Sequence, residues 1–374
     1  VDTGSGGIAE TRKLIARPPD MFIYLFLFSI IGFFAIEVPP LTARTQRQML
    51  GAFCFSMWLV ASTRYKVGGD WYQYVDHFVF ISQAAVKQSL DFFEPGWVIV
   101  NRLSAILETG VYGVNAIVGF ISLASIYLLC RSVSRPLLGL VVSFPYMYIV
   151  VIMGFVRQSV AMGFFALAIY VYQKKQPWYV AAAVCALGLL FHSTAIFAVM
   201  FIVAAALLKT PDGALSKPRL FFFLFLQVVL LYYYVSRFGM GDKYESYSSY
   251  DYNPAASRMR SIYNLCIFAL WPKARDTFDN GTTRVLGDVC LYASIAGFIG
   301  VWFIPLIFDR LIIYFLPLHI LILGNVQLGR FSGLFRKGLV LLFGGYLAVW
   351  LMYANNASSW VPYQSILEFG HFFD

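Results

Sequence analysis

Apolar residues in this chain run in long blocks, separated by short polar or basic stretches. Blocks near 21–36, 49–63, 113–130, 136–153, 157–172, 178–191, 193–208, 219–236, 259–271, 285–304, 308–324 and 338–354 reach or approach the length at which a helix crosses about 30 Å of hydrocarbon. The pattern predicts an all-α, polytopic membrane protein with about twelve transmembrane helices. Between 64 and 112 the pattern turns amphipathic. Trp97, Val98, Val100, Leu103, Ile106 and Leu107 follow helical spacing there, so a helix lying along the membrane interface is expected. The reading leaves an N-terminal extension at 1–19 that opens as an added polar lead, one membrane-embedded domain at 20–365 and a short tail at 366–374. No repeat is evident.

Composition excludes a water-soluble alternative. Hydrophobic residues make up 60% of the chain, charged residues 13%, and mean hydropathy is +0.70. A single soluble core could not hide that much apolar surface. The first block, Met21 to Ile36, lacks a small-residue cleavage site and reads as a retained span. Cys54, Cys130, Cys185, Cys266 and Cys290 are scattered, with no CxxC pair, and read as small apolar residues rather than a metal or disulfide framework.

The net charge of +9 sorts into short loops: Arg131 and Arg135, Lys174 and Lys175, Lys209, Lys217 and Arg219, Lys273, Arg275 and Arg284, then Arg330, Arg336 and Lys337. Alternating helices puts all five loops on one face, the cytoplasmic one by the positive-inside rule. No nucleic-acid partner is needed to explain the charge. The scheme requires 178–208 to be a hairpin broken at Phe191-His-Ser193, and it leaves Arg12, Lys13 and Arg17 on the other side, against the rule.

Ionisable residues collect at the rim opposite those loops, where desolvation makes them costly and therefore informative. Arg64, Lys66 and Asp70 flank Gly68-Gly69, a pair that lets the backbone turn with positive φ close to a ligand. Arg157 falls in the first turn of a predicted helix, where the dipole disfavours a cation unless an anion shares the place. His192 lies in the hairpin break. Asp309 and Arg310 interrupt two apolar blocks, and as neighbours they could neutralise each other. Arg258 and Arg260 close a tyrosine-rich loop at 237–258. Each feature has a plainer explanation: snorkelling cations, an exposed Asp, a structural His, an interfacial aromatic belt. His319, inside an apolar block, reads as structural, and His77 and His371 carry no local signal.

The ordered set has a likeness. Arg64-Tyr-Lys-Val-Gly-Gly-Asp-Trp-Tyr-Gln-Tyr74 resembles the Arg-Tyr-x-Val-Gly-x-Asp-Tyr-x-x-Tyr signature of the EpsG family. Val156-Arg-Gln-Ser-Val-Ala161 resembles that family's Arg-Gln-x-x-Ala helix start, and Leu190-Phe-His-Ser-Thr-Ala195 its Phe-His-x-Ser/Thr hairpin. Arg310 before Leu-Ile-Ile-Tyr314 and the terminal Val-Pro-Tyr363 are similar to its later elements. Gly69 and Trp71 depart from the expected Thr and Tyr. The resemblance runs from about residue 20 to 365.

The resemblance implies a Wzy-type polysaccharide polymerase with a GT-C-like architecture in the bacterial inner membrane. Its donor and acceptor would be oligosaccharides on undecaprenyl diphosphate, used at the extracytoplasmic face, and a flippase or chain-length regulator of the same pathway would be a partner. Asp70 is then expected as the general base, with His192 as second choice. Arg64, Arg157, Arg310 and Arg258 are expected to hold the diphosphate. Tyr65, Tyr74, Tyr244, Tyr247 and Tyr363 would offer ring faces and hydroxyls to glycan. No acidic cluster suits a metal, so no metal or cofactor is expected, and one displacement would invert the anomeric centre. An O-antigen ligase, a lipid-linked oligosaccharide flippase and a membrane O-acyltransferase stand as alternatives.

Overall fold

The computed structural model describes residues 18–36, 41–225, 229, 254–278 and 281–369. The tyrosines expected at 244 and 247 lie outside the described residues. All regular elements among those described are helical. The β-bridges, Arg64 with Ser365 and Lys209 with Leu215, are isolated.

The chain order is α1 (Phe22–Ala35), α2 (Ala43–Thr63), α3 (Trp71–Gln83), α4 (Val86–Phe92), α5 (Pro95–Ile106), α6 (Gly110–Arg131), α7 (Pro136–Ser143), α8 (Val156–Gln173), α9 (Trp178–Ala186) and α10 (Ala195–Leu208). A helical stretch at 217–225 follows. The second half holds α11 (Pro254–Phe268), α12 (Trp271–Arg275), α13 (Gly281–Gly300), α14 (Pro305–Ile312), α15 (Leu316–Asn325), α16 (Ser332–Tyr353) and α17 (Ile366–Phe369).

Among the described residues, four helices suffice by length and composition to cross a membrane: Gly110–Arg131, Gly281–Gly300, Phe308–Asn325 and Gly329–Tyr353. Shorter apolar helices occupy Phe22–Ala35, Pro136–Ile152, Trp178–Leu190 and Ala195–Leu208. The protein is a membrane protein by this measure. Burial ranks the long helices. In Phe308–Asn325, 78% of the apolar window is buried inside the protein, against 22% in Gly329–Tyr353. The first is therefore central, and the second turns most of its side chains, such as Leu334 and Leu341, outward to lipid.

Three elements differ from the sequence expectation for local reasons. Helix α2 begins six residues early, at Ala43, because the Thr42 hydroxyl accepts the Thr45 N–H at 3.2 Å and caps the polar first turns. The block at 136–153 is not one α-helix: after α7 the chain widens into a π-helix over Phe144–Ile152, with Pro145 near its start. Helix α5 is amphipathic in a different sense than expected. Trp97, Val98 and Val100 pack inward on Tyr74, Val160 and Phe191, whereas Ile99, Leu103, Ile106 and Leu107 face out. Apolar side chains thus stand on both sides of the helix, with Asn101 and Ser104 buried beside the inner ones.

The expected hairpin at 178–208 is present. A 3-10 turn, Leu187–Leu190, ends the first arm, and α10 starts the second at Ala195. Helix α8 packs on α6 and α9 through small residues. A Cβ at Gly163 would stand 3.1 Å from the Ser122 Cα, and one at Gly188 would stand 3.2 Å from the Ala161 Cα. Such close approach is how helices gain contact where lipid supplies no hydrophobic drive.

Hydrogen bonds tie four of the five basic loops together in two pairs. Arg135 donates to the Val326 carbonyl at 2.9 Å and the Ser134 hydroxyl to Asn325 Oδ1 at 2.9 Å. Lys209 donates to Thr282 at 3.0 Å. From Lys174 and Lys175 back to Val156, α8 rises about 27 Å at 1.5 Å per residue. The start of α8 and the start of Phe308–Asn325 thus lie at the far end of the bundle from the basic loops.

Candidate active site

The turn after α2 builds the floor. Lys66 and Gly68 take positive φ, at 52° and 111°, and Gly69 does not, so the strained position is one glycine rather than two. The Gly68 N–H donates to the Ser359 carbonyl at 2.7 Å. A Cβ on Gly68 would fall 2.2 Å from the Met153 carbonyl oxygen, whereas one on Gly69 would meet Trp360 at an ordinary 3.4 Å. Trp360 locks this junction. Its indole N–H donates to the Ile149 carbonyl in the π-helix at 2.8 Å, and its own carbonyl accepts from the Tyr24 hydroxyl at 2.9 Å. Gly68→Ala is expected to cost about 3 kcal/mol or more and to deplete the protein from membranes, while Gly69→Ala changes stability by less than about 1 kcal/mol. Thermal melting of both variants in detergent checks this contrast.

Asp70 follows, at the N-cap of α3, and its carboxylate makes no capping bond. Asp at this position commonly caps its helix. Here Oδ2 instead accepts from the Tyr74 hydroxyl at 3.5 Å. Burial raises the Asp70 carboxyl above the usual range, and Arg310, the Tyr74 bond and Arg157 partly oppose the rise. Burial, then Asp70, pushes the Tyr74 phenol up, so it stays protonated and donates.

Arg157 enters from α8. Its guanidinium forms an ion pair with Glu94, the N-cap residue of α5, and its Nε donates to the Phe191 carbonyl at 3.5 Å. The side chains of Arg157 and Glu94 keep 22% and 21% exposure. Arg310 enters from α14. Asp309 does not neutralise it: that carboxylate pairs with Arg260 at 2.7 Å. Arg310 reaches Gln158 instead, in a reciprocal pair of 3.3 Å bonds, and stacks 5.6 Å from the Phe155 ring centroid.

His192 closes the set from the hairpin turn. Its Nδ1 lies 3.2 Å from the Thr194 backbone nitrogen and 2.7 Å from the Thr194 hydroxyl. Burial, then Arg157 and Arg310, lowers the imidazole to about 4. Both arginines thus act on both Asp70 and His192. Four groups from separate parts of the chain share one region, at the end of the bundle away from the basic loops.

Other expected residues have different employment. Arg64 is 2% exposed, and its three nitrogens donate to the carbonyls of Val67 and Ala61 and to Asn115 Oδ1, the last at 2.7 Å. It shapes the turn from behind and presents no face to a diphosphate. Tyr74 is buried among His77, Trp97 and Asp70, so its ring offers no open glycan platform. Tyr363 clasps α2 by donating its hydroxyl to the Val60 carbonyl at 2.9 Å. Tyr65 is half-buried, edge-on to Trp71 and beneath the Lys66 ammonium. Arg258 stacks on Trp302, 4.3 Å from its ring centroid.

The sequence reading assigned no site role to Glu94, Gln158 or His77. Glu94 carried a usable signal, an acid immediately before a helix-opening Pro95. His77 carried none: its ring lies 4.5 Å from the Phe93 centroid, and burial followed by Arg157 lowers it to about 4. Among the described residues, no three His, Cys, Asp or Glu side chains gather as metal ligands.

The sequence pattern of the EpsG family matches residues 48–365. The chain belongs to the EpsG family. That span takes in the Gly68 turn, Asp70, Arg157, His192, Arg310 and the Trp360 lock, so the EpsG match covers the whole candidate site. EpsG membership and the apolar helices together make this a membrane protein of polysaccharide biosynthesis, and membership points to a polymerase in general. No curated protein and no solved structure matches the chain.

Proposed function

We propose that this EpsG protein is a Wzy-type polymerase. It lengthens a glycan carried on undecaprenyl diphosphate by transferring it to a hydroxyl of the next lipid-linked repeat unit. The catalytic face is the one away from the basic loops, outside the cytoplasmic membrane, with about twelve crossings in a GT-C-like arrangement. The observation that carries this reading is the placement of one uncapped, partly buried carboxylate, Asp70, within electrostatic reach of two arginines that face the same rim.

The chemistry needs little more. Asp70 takes the proton of the acceptor hydroxyl, whose oxygen forms a bond to the anomeric carbon from the side opposite the leaving group. The bond from that carbon to the diphosphate oxygen breaks, and undecaprenyl diphosphate departs with the electron pair. Arg157 and Arg310 hold its charge, which develops in a site of low polarity where fixed cations act most strongly. Configuration at the anomeric carbon inverts. A flippase that delivers the repeat units, or a regulator of chain length, would work beside it.

The test is reconstitution of the full chain in proteoliposomes with purified lipid-linked repeat units. A ladder of longer glycans and stoichiometric release of undecaprenyl diphosphate are expected. Transfer to a lipid A core with no ladder would make it a ligase, and movement of substrate across the bilayer without release would make it a flippase.

A further inference from the structure

His192 has a chemistry that its position in the hairpin does not reveal. Two donors converge on Nδ1, the Thr194 backbone N–H at 3.2 Å and the Thr194 hydroxyl at 2.7 Å. A hydroxyl could donate or accept, but a backbone N–H can only donate. Nδ1 must therefore carry a lone pair, and the neutral ring holds its proton on Nε2. Turning the ring over would put a carbon against both donors and leave the Thr194 N–H, at the start of α10, without an acceptor. The Thr194 hydroxyl also lies 2.9 Å from the Tyr314 hydroxyl. Once Thr194 donates to Nδ1, Tyr314 is placed to donate to Thr194, so a chain of two hydroxyls reinforces one tautomer.

The surroundings decide what that tautomer is for. A general base at His192 would have to become an imidazolium beside Arg157 and Arg310, a third cation among two. A neutral ring that keeps an N–H and lies within electrostatic reach of two guanidinium groups suits an anionic oxygen instead. Burial and both arginines oppose charging the ring.

We propose that His192 works as a neutral, Nε2-protonated hydrogen-bond donor to a phosphate oxygen of the departing lipid diphosphate, with Thr194 and Tyr314 as the positioning residues that fix its tautomer. The role rests on the polymerase reading above. No proton moves at His192 during transfer; the hydrogen bond its Nε2–H donates strengthens as charge grows on the diphosphate, and Asp70 alone takes the acceptor's proton.

Two arms test this on the full chain. Nitrogen-15 magnetic resonance of histidine-labelled protein at neutral pH, with the His192 signals assigned by their loss in His192→Gln, is expected to show a protonated Nε2 and a bare Nδ1. A protonated Nδ1 or an imidazolium overturns the proposal. In proteoliposomes, His192→Gln keeps an N–H donor and loses all basicity, and should retain roughly a tenth of the transfer rate. His192→Glu, an acceptor and a base, should fall about a thousandfold. Glu outperforming Gln overturns the donor role. Thr194→Val should lower the rate about tenfold and loosen the tautomer signal, with Thr194→Ser restoring both. Failure of Ser to restore what Val loses overturns the positioning role. The resonance arm needs no polymerisation, so a correct tautomer in a protein that releases no undecaprenyl diphosphate identifies the polymerase reading as the failure, and the donor role falls with it.

Discussion

Asp70→Asn will insert and fold normally, melt no lower than the parent protein and make no polymer. The loss expected for removing a general base is about 10³-fold, near 4 kcal/mol of transition-state stabilisation at 1.36 kcal/mol per tenfold. The stability half of the expectation follows from the direction in which the site moves Asp70. Its folded carboxyl lies above the ordinary value, so the folded protein holds the proton more tightly than the unfolded chain does. Its contribution is favourable below the unfolded value, about 3.9, and is lost as pH rises through the folded one. At neutral pH the ionised Asp70 therefore costs stability, and the neutral Asn removes that cost while keeping a partner for the Tyr74 hydroxyl. A dead enzyme with an unchanged or raised Tm separates a catalytic carboxylate from a structural one. The same shift sets the pH profile. The base works deprotonated, so the rate falls as pH drops through the raised value, and the acid limb lies above that of an ordinary Asp. Arg310 is the largest influence lowering Asp70, so the residual activity of Arg310→Gln should show that limb displaced upward.

Local sequence carried the features that interrupt a pattern. A polar dipeptide inside an apolar block marked the hairpin at His192, and adjacent glycines after a span marked the turn before Asp70. A cation in the first turn of an apolar helix marked Arg157. What it could not carry was the choice of partner. Asp309 and Arg310 are neighbours in sequence and read as a pair, but successive residues on a helix point in different directions. Asp309 meets Arg260 on α11, which frees Arg310 for Gln158. Arg64 matched the family signature as well as Asp70 did, and nothing in the sequence foretold that Asn115 and two carbonyls would occupy it. The signature is thus partly a folding instruction: Arg64, Gly68 and Tyr363 build the turn, and Asp70 uses it. Tyr74 likewise reads as one more rim aromatic until burial shows its hydroxyl assigned to Asp70.

Arg157→Ala is the second large loss, roughly 10²–10³-fold in transfer, with donor binding weakened as well. The guanidinium spends Nε on the Phe191 carbonyl and one Nη2 bond on Glu94, so part of its fork remains for phosphate oxygens. Lys at this position keeps the charge but not the fork, so Arg157→Lys should recover little of the loss. Folding should survive the Ala variant, because Glu94 keeps about a fifth of its surface in solvent and sits at the N-terminus of α5, where the helix dipole favours an anion. The abundance penalty is about 1 kcal/mol or less. Glu94 acts through Arg157 by holding its orientation. Glu94→Ala alone should lower the rate about tenfold, yet cost almost nothing further once Arg157 is Ala. Rates from the two single variants and the double variant in proteoliposomes measure that coupling. Additive losses would mean that Glu94 touches substrate on its own account, and equal activity in Arg157→Ala and the parent would remove the diphosphate clamp from the site.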